Sequence, residues 1–144
     1  MTSKWKGTIA ELKAMTCFLE AGINVFQPAM ENTGTDLVID FNNALYRVQV
    51  KSSRCKTKYN NYQVNLKTFG GNRSGQTIKK IDPNVDFVFI CIPDGMYLIP
   101  KKMFLDKSTI NCSSFLDEYK VSNNICSLIQ KCISESSSKS VELS

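Results

Sequence analysis

The sequence predicts an α/β fold: a mixed central sheet flanked by helices, with extra helices at the C-terminal end. Three observations carry that expectation. Residues 3–21 repeat apolar side chains at helical spacing. Residues 36–51 hold two β-rich runs joined by the turn-forming pair Asn42-Asn43, the pattern of a β-hairpin. Residues 86–92, Asp-Phe-Val-Phe-Ile-Cys-Ile, are a near-continuous apolar run of the kind that fills the middle of a sheet. At 144 residues the chain can bury one hydrophobic core. Residues 1–134 are expected to form a single domain and 135–144 a serine-rich disordered tail.

Taken in order, Thr2 or Ser3 can cap the first helix, and Gly22 sits where a C-terminal cap residue belongs. Trp5, Ile9, Leu12, Met15 and Leu19 form its expected apolar stripe. Glu11 adjoins that stripe, and Gly7 lies one turn earlier on the same side, where another backbone could approach. Residues 23–27 read as a short strand ended by Pro28, and 28–35 as a polar loop with Asn32-Thr33-Gly34 as turn formers. In the hairpin, Leu37, Ile39 and Phe41 share the core face, while Asp36, Val38 and Asp40 share the other. Asp40 adjoins the turn and reads as a turn residue first. The second strand ends in Gln49-Val50-Lys51, so Gln49 and Lys51, two apart, point the same way.

Residues 52–61 are basic and polar, and 62–66 alternate weakly, as a further strand would. The glycine-rich stretch 69–77 nearly matches a phosphate-binding P-loop. Gln76 stands where the lysine is needed, so no nucleotide cofactor is expected, and the stretch reads as a loop carrying Arg73 to DNA. After the apolar run, Pro93-Asp94-Gly95 makes a turn and residues 96–100 return beside it. A helical turn at 101–106 and helices at 114–120 and 123–134 complete the chain, the last with Ile125, Leu128, Ile129 and Cys132 as its apolar stripe.

Composition excludes several chemistries. There is no histidine, which removes serine–histidine and cysteine–histidine catalysis and histidine-ligated metals. The six cysteines form no CxxC pair, and several sit inside apolar runs, so a reduced, intracellular setting (cytoplasmic or nucleoid-associated) is expected. No apolar run approaches the length of a membrane span. The net charge of +5 is unevenly laid out. Between Phe41 and Ile81 there are nine basic residues and no acidic one, leaving a net −4 on the rest of the chain. A one-sign block of this kind, interleaved with Tyr59, Tyr62 and Phe69, is a footprint for a nucleic acid.

Asp36, Gln49 and Lys51 gather a carboxylate, a second oxygen donor and an ammonium on one hairpin. That set suits metal-assisted attack on a phosphodiester: oxygen ligands for a hard cation and a positive group beside the attacking water. The order is a helix with Lys6-Gly7 and Glu11, then Asp36 opening Asp-Leu-Val-Ile-Asp, then Gln49-Val50-Lys51, then an apolar strand pair. In that order the chain resembles the PD-(D/E)XK nuclease superfamily, with its restriction-endonuclease-like αβββαβ core, over about the first 100 residues. Within it, the chain looks most like small group I intron homing endonucleases and Holliday junction resolvases. Thr35 replaces the motif's proline, and Gln49 replaces its second acidic residue, which leaves the number of bound metals open.

The resemblance implies that Asp36 is the central metal ligand. The Val50 carbonyl and Gln49 amide oxygen would complete the protein side, and Glu11 would bind directly or through water. Lys51 would orient the nucleophilic water. It also implies Mg²⁺, with Mn²⁺ able to substitute. The leading expectation is a site-specific double-stranded DNA endonuclease of homing type. The alternatives are a junction resolvase with the same chemistry, and a non-catalytic DNA-binding module on a degenerate nuclease fold. One centre per chain implies a homodimer or homotetramer, with the C-terminal helices as candidate interfaces. DNA contacts are expected from Arg54, Lys56, Lys58, Tyr59, Lys67, Arg73, Lys79 and Lys80.

Overall fold

A computed structural model describes residues 1–30, 34–70 and 77–142, with side chains described for all of these except 68–70, 77–79 and 137–142. The chain opens with α1 (Ser3–Glu20), whose first turn is closed by the Thr2 hydroxyl accepting from the Trp5 N–H at 3.3 Å. Gly22, at φ +77°, ends it in the left-handed conformation that favours glycine. Then come β1 (Asn24–Phe26), β2 (Leu37–Phe41) and β3 (Ala44–Ser52). Asn42 and Asn43 between β2 and β3 both have positive φ, 51° and 65°, as a two-residue type I′ turn requires. Further along, β7 (Phe87–Ile92) and β8 (Gly95–Pro100) complete a five-stranded sheet in the order β1-β2-β3-β7-β8. Only the β3–β7 pair is parallel, so the sheet is mixed as expected.

The parallel pair needs a long crossover. Among the described residues it is built from strands: β4 (Tyr62–Asn65), β5 (Thr68–Gly70) and β6 (Thr77–Lys79). The β5–β6 ribbon brackets the glycine-rich stretch; its residues 71–76, Arg73 included, lie outside the described residues, as do turn residues 31–33. β4 pairs with β9 (Thr109–Cys112), a four-residue strand that alternates too briefly to be read from sequence. Between β8 and β9 lies α2 (Lys101–Phe104). A 3₁₀ helix (Ser114–Tyr119) and α3 (Ile125–Glu142) end the chain.

α3 runs on past Ser134, where the sequence reading ends the helix. Glu135 there accepts from the buried Tyr119 hydroxyl at 2.7 Å and pairs with Lys102 at 3.3 Å, tertiary anchors that helical periodicity does not reveal. No helix among the described residues is long and apolar enough to cross a membrane.

Register decides the faces. Leu37 lies opposite Val48, and Val50 lies beside Phe89. Leu37, Ile39, Val48, Val50, Phe87 and Phe89 therefore share one face, and Gln49, Lys51, Val88 and Ile90 the other. α1 packs on the first face, with Phe18 edge-on to Phe89 at 5.7 Å between ring centroids. The buried residues of α1 are Ala10, Ala14 and Phe18, which corrects the expected stripe. Trp5, Leu12 and Leu19 are exposed, at 64%, 54% and 54%. Small alanines let the helix lie close on the sheet, and a run this rich in apolar residues offers two stripes between which periodicity cannot choose. A side chain built at Gly7 would meet nothing within 4 Å, so no described backbone of this chain packs there.

The Phe18–Phe89 contact anchors helix to sheet, and Phe18 is fully buried. Phe18→Ala is expected to cost about 3–5 kcal/mol of unfolding free energy, read from the midpoint of a urea transition.

Candidate active site

The site begins where β2 starts and β3 ends. The Asp36 N–H donates to the Val48 carbonyl at 3.0 Å, and the Val50 N–H donates to the Asp36 carboxylate at 2.8 Å. Asp36 thus stands just before β2 and continues the ladder with its side chain. Backbone groups alternate along a strand, so the Val50 carbonyl points to the same edge of β3 as the Val50 N–H, toward Asp36. On the other edge, Asp86 pins the start of β7 by accepting from the Arg47 N–H at 2.8 Å. β3 is held in register from both sides.

Glu11 reaches this edge from α1. Burial pushes the Glu11 carboxyl up. The adjacent Asp36 carboxylate pushes it further, first by its charge and then through a hydrogen bond between the two side chains. Gln49 is only 9% exposed, and no described hydrogen bond engages its amide. Lys51 is half-buried, and burial pulls its ammonium down, opposed by the negative charge of Asp36. It makes no ion pair among the described residues. The structure therefore brings together Glu11, Asp36, Gln49, Val50 and Lys51 at one end of β3.

Two abutting carboxylates and, across the strand pair from Asp36, the amide of the largely buried Gln49 form an oxygen-rich niche with a charge deficit. A hard divalent cation meets both needs, so the residues fit such an ion. The set holds two carboxylates, since Gln49 stands where a third would be. Among the described residues no group of three or more His, Cys, Asp or Glu is gathered for a metal.

The remaining candidates are spread along the crossover. Arg54, Lys56, Lys58, Tyr59 and Lys80 are exposed, and Lys67 is half-buried. The Lys58 ammonium sits 5.1 Å from the Tyr59 ring centre, and Lys56 sits 5.1 Å from that of Tyr62. The Lys79 backbone is in β6. Both ion pairs among the described residues, Lys102–Glu135 and Lys131–Glu118, use lysines outside the basic block, so no described side chain of that block is in an ion pair.

The family model of the PD-(D/E)XK endonucleases matches residues 1–118. The chain belongs to the PD-(D/E)XK endonuclease family. A solved structure of a bacterial homing endonuclease, I-Ssp6803I, superposes with a TM-score of 0.73 at 26% identity, covering 83% of this chain and 89% of that one. No curated protein sequence matches. Membership brings endonuclease chemistry and a DNA substrate, and nucleases of this family generally use divalent metal ions. In this PD-(D/E)XK chain, sequence reasoning used Lys6 only as part of the motif order and placed neither Lys6 nor Lys13 among the candidate DNA contacts. Both line a cavity beyond the end of β3 together with Arg54 and Lys67. Their seven-residue spacing, which puts them on one side of α1, was the available signal.

A raised carboxyl loses native stability as pH climbs from its ordinary value through its raised one, because the unfolded chain ionises first. Glu11→Gln is therefore expected to raise Tm at neutral pH, with the gain vanishing below the ordinary value of 4.5. A lowered ammonium has the opposite window. Lys51→Met is expected to raise Tm at pH 7, with the gain vanishing above 10.5. Differential scanning fluorimetry across pH reads both.

Proposed function

We propose that this protein is a Mg²⁺-dependent endonuclease that cuts double-stranded DNA at a specific site, of homing type. The observation that carries this reading is the convergence of Glu11, Asp36, Gln49 and Lys51 on the edge of β3 that Asp36 clamps. Membership of a nuclease family and likeness to a homing endonuclease support it.

In this reading Asp36, the Glu11 carboxylate, the Gln49 amide oxygen and the Val50 carbonyl hold the cation. When bound, the cation supplies positive charge to the phosphate and acidifies a water. Asp36 keeps one oxygen on the Val50 N–H, which fixes the direction of the other. Lys51, poorly solvated and lowered, donates hydrogen bonds to the attacking water and to the phosphate oxygens as their charge grows. Partial burial removes competing water, so each of these contacts counts for more than it would in solvent. The basic block along the crossover holds the duplex, and Tyr59 and its lysine neighbours offer a flat face to sugar or base.

Asp36→Ala and Lys51→Ala are each expected to lower single-turnover cleavage by at least about 10²-fold, with duplex affinity in a gel-shift changed less than about threefold. The wild-type protein should cut a cognate plasmid with Mg²⁺ and fail with a chelator. Cutting of four-way junctions in preference to duplex would replace the homing reading with a junction-resolving one. Retardation of DNA without any nick would replace both with a binding module.

Two strands need two centres, and the reading includes self-association. Its support is the exposed stripe of Trp5, Leu12 and Leu19, which recurs every seven residues on the side of α1 away from the sheet. Leu12→Lys is expected to shift the protein to monomer in sedimentation and to convert double-strand cutting into nicking. Dimers that persist with this substitution would move the interface elsewhere, the C-terminal helices being the other candidate.

A further inference from the structure

Beyond the end of β3, a cavity of about 680 Å³ opens between α1 and the crossover strands. Lys6 and Lys13 reach it from α1, Arg54 from the segment after β3, and Lys67 from the segment after β4. Among the described residues that line it there is no carboxylate. None of the four cations takes part in a described ion pair. Ile9 and Ile92 add apolar surface to the wall. None of Glu11, Asp36, Gln49 or Lys51 lines the cavity, but Ser52, the residue after Lys51, does.

Four like charges around one space repel one another and are stable only with an anionic occupant or with solvent. Their spread argues for more than one anionic group. Lys6 and Lys13 are two helical turns apart, about 10 Å along the axis. A single small anion cannot meet both, whereas a nucleic acid strand carries a phosphate about every 3.4 Å of its rise. The apolar wall suits sugar rather than another charge.

We infer that this cavity is a subsite for the sugar–phosphate backbone of one DNA strand beside the cut, with Lys6 and Lys13 as phosphate contacts alongside Arg54 and Lys67. The inference rests on the endonuclease reading and extends it to residues outside the hairpin and the basic block. α1 then serves two ends of the reaction: Glu11 on one flank faces Asp36, and Lys6 and Lys13 on another hold the strand. Contacts of this kind carry no base information, so they act equally on any sequence.

The experiment is a titration of fluorescent duplex in metal-free buffer over a series of salt concentrations. It compares wild type, Lys6→Ala/Lys13→Ala and Asp36→Ala, each with cognate and unrelated DNA. Both lysines are exposed, so the double variant should keep the wild-type Tm. It is expected to bind both duplexes about tenfold more weakly, with the slope of log affinity against log salt reduced by about 2. With Mg²⁺, its cleavage rate at saturating DNA should stay within about twofold of wild type, while the DNA concentration for half-maximal rate rises. An unchanged salt slope and affinity in the double variant overturns the subsite even if wild type cuts DNA. A loss confined to the cognate duplex overturns it too, since that is base reading. Failure of wild type to cut any DNA, with the altered salt slope present, would leave the subsite standing and remove the nuclease reading instead.

Discussion

The hydrogen bond from the Val50 N–H to the Asp36 carboxylate is the contact on which the rest of the site depends. It lets a side chain finish a ladder that the backbone of β2 begins one residue later. The Asp36 N–H to the Val48 carbonyl completes the clamp, and Asp86 acts alike on the other edge of β3. Strand faces alternate with a period of two, so a one-residue slip of β3 would swap the faces of Val48 and Val50 with those of Gln49 and Lys51. The same bonds that hold the register therefore aim the functional groups.

The site that results is electrostatically costly. A carboxyl is raised by burial and by a like-charged neighbour, and an ammonium is lowered by burial. Neither of these arrangements stabilises a fold. They persist because a wholly apolar β7, paired with β3 and packed under Phe18 of α1, holds β3 in place. Groups so placed interact strongly with whatever charge enters the niche, because little solvent screens them.

Charge is arranged at two scales. At the site, opposite charges lie within a few residues of one another on β3 and its neighbours. Around it, positive charge is spread over a longer range along the crossover and α1, with no ion pair at its described residues. The short range governs what a phosphate meets on arrival, and the long range governs how a polyanion arrives. Gln49 sits at the junction. As a neutral amide it carries one negative charge fewer than a carboxylate at that position would.

The sequence by itself determined the helix, the hairpin with its Asn42-Asn43 turn, the apolar central strand and its partner, because each is written in short-range periodicity and turn chemistry. It also determined that Asp36, Gln49 and Lys51 share the hairpin and that the basic block carries no acid. Tertiary structure decided which stripe of α1 is buried, since that depends on how close the helix must lie to the sheet. It decided the β4–β9 pairing, fixed by residues some fifty positions apart, and the run of α3 past Ser134, where Glu135 meets Tyr119 and Lys102. It alone brought Glu11 beside Asp36 and set Lys6 and Lys13 opposite Arg54 and Lys67. Charge and propensity can be counted along a chain, but proximity between residues dozens of positions apart exists only once the core has closed.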